Sequence, residues 1–318
     1  MATPTDGSGA AGRTRADSPS SHPRTQPVPL LPAGLFVLVW SSGYVAGMVG
    51  VRAVEPFTLV AIRFALAAAV MAAIARVAHG PMRIERSDWP RVAAVGVAIN
   101  AVQFGCYYTA FELGVPASLS AMITALSPVL TVVVAHFMLH EPVRTLQTVG
   151  LVVGIGGVVL VLGPDVQAAG GGLGIAFTVL GTAALSFGTL GQRWISPATD
   201  PLWSTTAQFG FAAPPAAVLA VGLEGLGGVS DWSTGAAAIA WLILVNSVAG
   251  MLLLGWLVRK GGAGATSSVF FLIPAVTAVL AWLFLDESLR TYQLVGMALA
   301  SVGVALATRS ADRSGPSS

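Results

Sequence analysis

Ten runs of about twenty apolar residues, divided by short polar gaps, leave this sequence few ways to fold. They lie near residues 31–51, 56–75, 91–111, 116–138, 145–162, 172–192, 202–223, 235–258, 263–285 and 291–308. A helix that crosses a bilayer needs about 20 mostly apolar residues, so each run is a candidate span. Strands of a membrane barrel would instead alternate apolar and polar over about ten residues, and these runs are too long and too continuously apolar for that. Only 9% of the 318 residues are charged, against about 25% in an ordinary soluble domain. A water-soluble globule is excluded, and the gaps leave no room for a separate soluble domain. The expected class is an all-α membrane protein with ten transmembrane helices.

Residues 1–30 are rich in Ser, Thr, Pro and Arg, cannot build a core, and are expected to be a disordered cytoplasmic tail, with 309–318 a second, shorter one. The first apolar run is too long for a signal-peptide core and leads straight into further spans. Placing both termini in the cytoplasm puts 13 of the 16 Lys+Arg inside and leaves Arg52 and Arg290 outside, with Arg63 inside a span. That distribution satisfies the positive-inside bias. The net charge of +2 comes from scattered arginines, with no basic cluster interleaved with aromatics, so the lipid bilayer is a partner and nucleic acid is not. The single cysteine, Cys106, can form neither an intrachain disulfide nor a Cys-based metal site.

The chain also repeats itself. Residues 117–162 align without gaps on 263–308 after a shift of 146, with 16 of 46 positions identical. Pro128 falls on Pro274, Glu141 on Glu287, Arg144 on Arg290 and Gly150 on Gly296, and Asn100 falls on Asn246. A shift of 145 places Ser41 on Ser186, Gly43 on Gly188, Pro56 on Pro201 and Arg63 on Gln208. The chain therefore divides into a five-helix unit over 31–162 and a second over 172–308. Five is odd, so the second unit enters the membrane from the opposite side, which makes the two units inverted repeats. Such halves can exchange conformations around a midplane site, the architecture of alternating access.

The stretch W-S-S-G-Y-V-A-G (40–47), then P-F-T-L-V-A-I-R-F (56–64), resembles the opening of an EamA-type half. So do the twin blocks S-P-V-L…E-P-V-R-T-L-Q-T-V-G and I-P-A-V…D-E-S-L-R-T-Y-Q-L-V-G. The resemblance covers about residues 31–308 and places the chain near the drug/metabolite transporter superfamily of ten-helix carriers. It implies an inner-membrane secondary transporter that exports small metabolites such as amino acids by alternating access. The four-helix multidrug branch of that superfamily relies on a membrane Glu in its first helix. This chain has no Asp or Glu in its first run, so a cationic-drug/proton antiporter of that type is disfavoured.

Arg63 is the one charged side chain well inside a run, about seven residues or roughly 10 Å from its start. A charge at that depth costs about 3 kcal/mol on insertion scales and usually faces a cavity or another helix. It can bind a substrate carboxylate or phosphate through its planar fork; the alternative is a structural Arg bonded to helix-end carbonyls or reaching the headgroups. Asn100 and Asn246 line a shared cavity or serve as interhelical glue worth about 0.6 kcal/mol each. Asn100, Gln103 and Tyr107 share one helical face, and Trp40 and Tyr44 give the first helix a polar-aromatic stripe. These residues form the candidate substrate site.

Pro128 and Pro274 are expected to kink their helices, and paired broken helices point toward a binding site. Glu141–Arg144 and Glu287–Arg290 have i, i+3 spacing and are expected to lock tight turns or to act as gates. Glycines 150, 154, 157, 296 and 303 give the fifth and tenth helices small faces, to serve as scaffold or as contacts in a homodimer. His136 and His140 lack the further ligands a metal site needs. The sequence carries no phosphate-binding G-x-x-x-x-G-K-[ST] loop and no H-E-x-x-H, so neither ATP hydrolysis nor zinc chemistry is expected, and no cofactor. A neutral-solute uniporter or channel-like permease is the rival function; a membrane-embedded enzyme would need clustered acid, base or metal ligands at one depth.

Overall fold

In hydrocarbon every backbone N–H and C=O must find its partner within the segment, so continuous apolar runs become helices. The computed structural model describes residues 30–140, 145–163, 166–167, 169–288 and 290–309. Among them the chain is helical, and its only β pairing is an isolated bridge between Val54 and Val229. The helices are α1 (Leu30–Val51), α2 (Pro56–His79), α3 (Arg86–Glu112), α4 (Ala117–Ala125), α5 (Ser127–Leu139) and α6 (Thr145–Leu162). They continue as α7 (Gly171–Trp194), α8 (Pro201–Glu224), α9 (Trp232–Val269), α10 (Phe270–Leu285) and α11 (Thr291–Arg309). Seven are long and apolar enough to cross a bilayer, α4 and α5 together make an eighth, and α10 and α11 carry shorter apolar stretches. This is a multi-pass membrane protein.

Two pairs of helices that are equivalent in the repeat, α6 with α11 and α2 with α8, pack side by side and antiparallel. On α6 and α11, a Cβ added to Gly157 would sit 2.6 Å from Gly296 O, and one added to Gly303 would sit 2.6 Å from Gly150 O. Gly163, just past α6, lies against Tyr292 near the start of α11. The two backbones touch only because no Cβ stands between them. The small faces are therefore spent within one chain, while Val152, Val159, Val295 and Val302 point outward. On α2 and α8, Glu224 reaches Phe57 while Asp200 reaches His79, so these helices also run in opposite directions. The remaining interfaces come in pairs: α1 packs on α9 and α10, and α7 packs on α3 and α5.

Pro128 and Pro274 interrupt their helices near the start of the second segment. α4 and α5 meet at an angle of 45° across Leu126. Before Pro274 the chain tightens to a 3₁₀ turn at Phe270–Leu272, so Ile273 N–H bonds the Phe270 carbonyl that the proline cannot reach. Three stretches depart from sequence expectation. The gap expected at 259–262 is helical, because the segment Gly250–Val269 contains no proline and runs on unbroken. α3 and α9 each loosen into a π-helical stretch, Val97–Val102 and Leu242–Ala249. These hold Asn100 and Asn246, at equivalent places in the two repeats. The turns after α5 and α10 use His140 (φ 56°) and Asp286 (φ 59°), repeat equivalents in a left-handed conformation that ends each helix.

Candidate functional site

Arg63 and Asp88 are the two charged side chains buried among the described residues. Asp88 is matched at the surface end of its helix by Arg91 at 3.1 Å, by the Ser196 amide and by the Thr199 hydroxyl. Arg63, 4% exposed, has no carboxylate beside it among the described residues. Its Nε donates to Ser247 Oγ at 3.2 Å and its Nη1 to Tyr108 Oη at 2.5 Å. Its guanidinium carbon stands 4.2 Å from the centre of the Phe104 ring and 4.8 Å from that of Phe64. Hydroxyls and aromatic faces solvate the cation without neutralising it, so a full positive charge is held between α2, α3 and α9. A guanidinium in that state pairs strongly with any carboxylate that reaches it, because little competing solvent is present.

A second polar group lies where α1, α3, α4 and α7 meet. Tyr107 Oη is 3.0 Å from Thr182 Oγ1 and 2.8 Å from Thr124 Oγ1, its ring stacks on Tyr44 at 6.5 Å, and Gln103 lies against the same hydroxyl. Gln103 Oε1 and Ser120 Oγ are buried there with no hydrogen-bond partner. Gln103 and Tyr107, expected on one helical face, thus lie in one cluster with Tyr44 of α1. Trp40 is apart from it, packed at 5.2 Å on Phe36 and 5.7 Å on Phe270.

The two asparagines behave differently. Asn246 Nδ2 donates to the Val39 carbonyl of α1 at 2.6 Å, filling the space that Gly43 leaves open, while its Oδ1 has no partner. Asn100 is buried in its π stretch, which packs on α7 and α8. Asn246 thus bonds α9 to α1 and keeps its Oδ1 unpartnered.

Glu287 does not pair with Arg290. Its carboxylate accepts the Ala117 and Ser118 amides at 2.7 and 3.2 Å and the Ser118 hydroxyl at 2.5 Å, which caps the start of α4. Unsatisfied N–H groups and the helix dipole make that position favourable for a carboxylate. The Arg290 backbone amide donates to Gln293 Oε1 at 2.8 Å. Glu141 and Arg144 lie outside the described residues. Glu224 repeats the capping arrangement at the start of α2, accepting from Phe57 N, Thr58 N and Thr58 Oγ1 at 2.6–2.8 Å.

Sequence reasoning missed Ser247, Phe104, Thr124, Thr182 and the capping role of Glu224. Tyr108 carried a signal as the neighbour of the Asn100/Gln103/Tyr107 face; the others carried none. Among the described residues no group of three His, Cys, Asp or Glu is placed to hold a metal ion.

A model of the EamA-like transporter family matches residues 30–163 and 172–309. A WAT1-related chloroplastic protein of Arabidopsis thaliana is 24% identical over 276 residues, 84% of this chain and 66% of that longer protein. A probable amino-acid metabolite efflux pump of Escherichia coli is 24% identical over 279 residues, 85% of this chain and 91% of the pump. A solved crystal structure, 22% identical in sequence, superposes with a TM-score of 0.61 over 89% of this chain and 98% of its own, a likeness of fold.

Proposed function

The chain belongs to the EamA-like transporter family, and from that premise we propose that it is a secondary carrier exporting small metabolites, amino acids first, by alternating access. The observation that carries the reading is Arg63: a buried, unneutralised guanidinium in the seam between the repeats, held by Tyr108 from one half and Ser247 from the other. A substrate carboxylate would displace those hydroxyls and bond the fork in two places. Because Ser247 moves with the second repeat and Arg63 with the first, that exchange couples occupancy to the relative position of the halves. The antiparallel packing of α2 on α8 and of α6 on α11 supports two inverted five-helix repeats. With both termini in the cytoplasm, the end carrying Arg52 faces outward and the end carrying Arg83 faces the cytoplasm, in the inner membrane of the cell. The efflux-pump relative supports amino acids as the first substrates to try.

Counterflow in proteoliposomes tests this. Vesicles loaded with unlabelled amino acids receive one labelled amino acid at a time, without an imposed ion gradient. Transient overshoot of a label that disappears in Arg63→Gln protein is the expected result. No overshoot for any carboxylate-bearing solute overturns the reading.

A further inference from the structure

A cavity of about 430 Å³ opens at the Arg52 end of the bundle, between Met48, Arg52, Phe111, Glu112, Leu285 and Glu287. That volume suits a small metabolite. Met48, Phe111 and Leu285 are each less than one tenth exposed and form an apolar floor. Of the charged groups at its edge, Glu287 is already committed to capping α4. Arg52 and Glu112 cap no helix: both are exposed and neither belongs to the two ion pairs found among the described residues, although the Glu112 carboxyl hydrogen-bonds that of Glu55. Glu55 and Glu224 lie near Glu112 and deepen the negative potential on its side, with Glu224 itself engaged by the start of α2.

One guanidinium and one carboxylate thus face a common cavity without pairing with each other. A ligand carrying a single charge would meet one of them unmatched; a ligand carrying both would satisfy each. We propose that this vestibule is a second binding site, for a zwitterionic amino acid. Its carboxylate lies on Arg52, its ammonium on Glu112, and its side chain on Met48, Phe111 and Leu285. The Phe111 ring packs 6.2 Å from that of Tyr108, whose hydroxyl accepts from Arg63, so one aromatic layer separates the vestibule from the buried guanidinium. The role of this site in export rests on the carrier reading, whereas binding to it does not.

The test is titration calorimetry of the full chain in lipid nanodiscs with L-leucine, 3-methylbutylamine (leucine without its carboxylate) and N-acetyl-L-leucine (leucine without its ammonium). Leucine affinity falls at least about tenfold in both Arg52→Gln and Glu112→Gln. The amine responds to Glu112→Gln alone and the N-acetyl compound to Arg52→Gln alone. That crossed pattern could not arise at Arg63, which offers no carboxylate. Leucine affinity unchanged in either variant, or absent from the wild type, overturns the site. Counterflow that persists while both variants bind leucine like the wild type overturns the vestibule and leaves the carrier reading standing. The crossed pattern without any counterflow does the reverse.

Discussion

α2 and α8 occupy equivalent places in the two repeats and lie antiparallel against each other, yet they differ wherever charge is involved. Their backbones are joined by matching hydrogen bonds at opposite ends, Glu55 N to Gly228 O at 2.8 Å and Asp200 N to Arg83 O at 3.0 Å. Seven residues in from its start, each presents a buried polar side chain, Arg63 at 4% and Gln208 at 6% exposure. Gln208 is satisfied within its own repeat, by Gln192 and Ser204, whereas Arg63 is held by Tyr108 in one repeat and Ser247 in the other. The ends differ too. The start of α2 is capped by Glu224 from its partner helix, while α8 is capped by its own Asp200, supported by His79 from α2 at 2.6 Å. Backbone pairing can be kept in both copies because it does not depend on side chains. The copies diverge at the buried side chain, where one carries a cation and the other an amide.

Making the two helices alike should show what the divergence does. Arg63→Gln copies the α8 residue into α2. It should reduce counterflow of carboxylate substrates by at least about 100-fold, near 3 kcal/mol, while leaving the fold intact, because an amide can still bond Tyr108 and Ser247. The reverse change, Gln208→Arg, places an unmatched cation beside Gln192 and Ser204 and should destabilise the protein by about 3 kcal/mol, read as a lower melting temperature. An unchanged melting temperature would mean that both sites can hold a charge and that the asymmetry is incidental.

At the ends, Glu224→Ala removes the acceptor for the first amides of α2 and should cost about 1–2 kcal/mol in thermal stability. The other end should respond to acid. Burial pushes the Asp200 carboxyl up, but the Trp203 and Leu202 amides and the His79 ring more than offset it, holding it below the usual carboxylate range. A group depressed in this way stabilises the fold above its unfolded value and loses that contribution as pH falls through its folded value. Hydrogen exchange at Leu202 and Trp203 should therefore accelerate below about pH 4, and Asp200→Asn should remove that pH dependence. The smallest effect belongs to the turns: Asp286→Gly relieves a left-handed residue and should stabilise by about 0.5 kcal/mol, measurable by thermal melting.

Much of this architecture was legible in the sequence. Spans show as run length, and the shift of 145–146 residues shows the duplication without reference to shape. The prolines at 128 and 274 mark the breaks because a missing N–H acts locally. Gln103 and Tyr107 could be grouped because helical periodicity puts them on one face, whereas the place of Tyr44 beside them depends on how the first helix packs. Glu287 shows where such reasoning ends. Its spacing to Arg290 suggested a local pair, but a helix start 170 positions away holds the carboxylate with donors already fixed in place, whereas an exposed guanidinium must give up side-chain freedom to pair. The helical stretch through 259–262 was missed because glycine weakens a helix without forbidding it.

The sequence by itself determined that this chain spans a membrane, that it is built from two related halves, and that one arginine is buried in one half only. Those are properties of composition, period and position along a line. Which groups meet that arginine was decided by tertiary structure alone: Tyr108 lies 45 positions away and Ser247 lies 184. The antiparallel packing of the halves brings both to one guanidinium. A hydrogen bond requires donor and acceptor within about 3 Å, and distance along the chain carries no record of that.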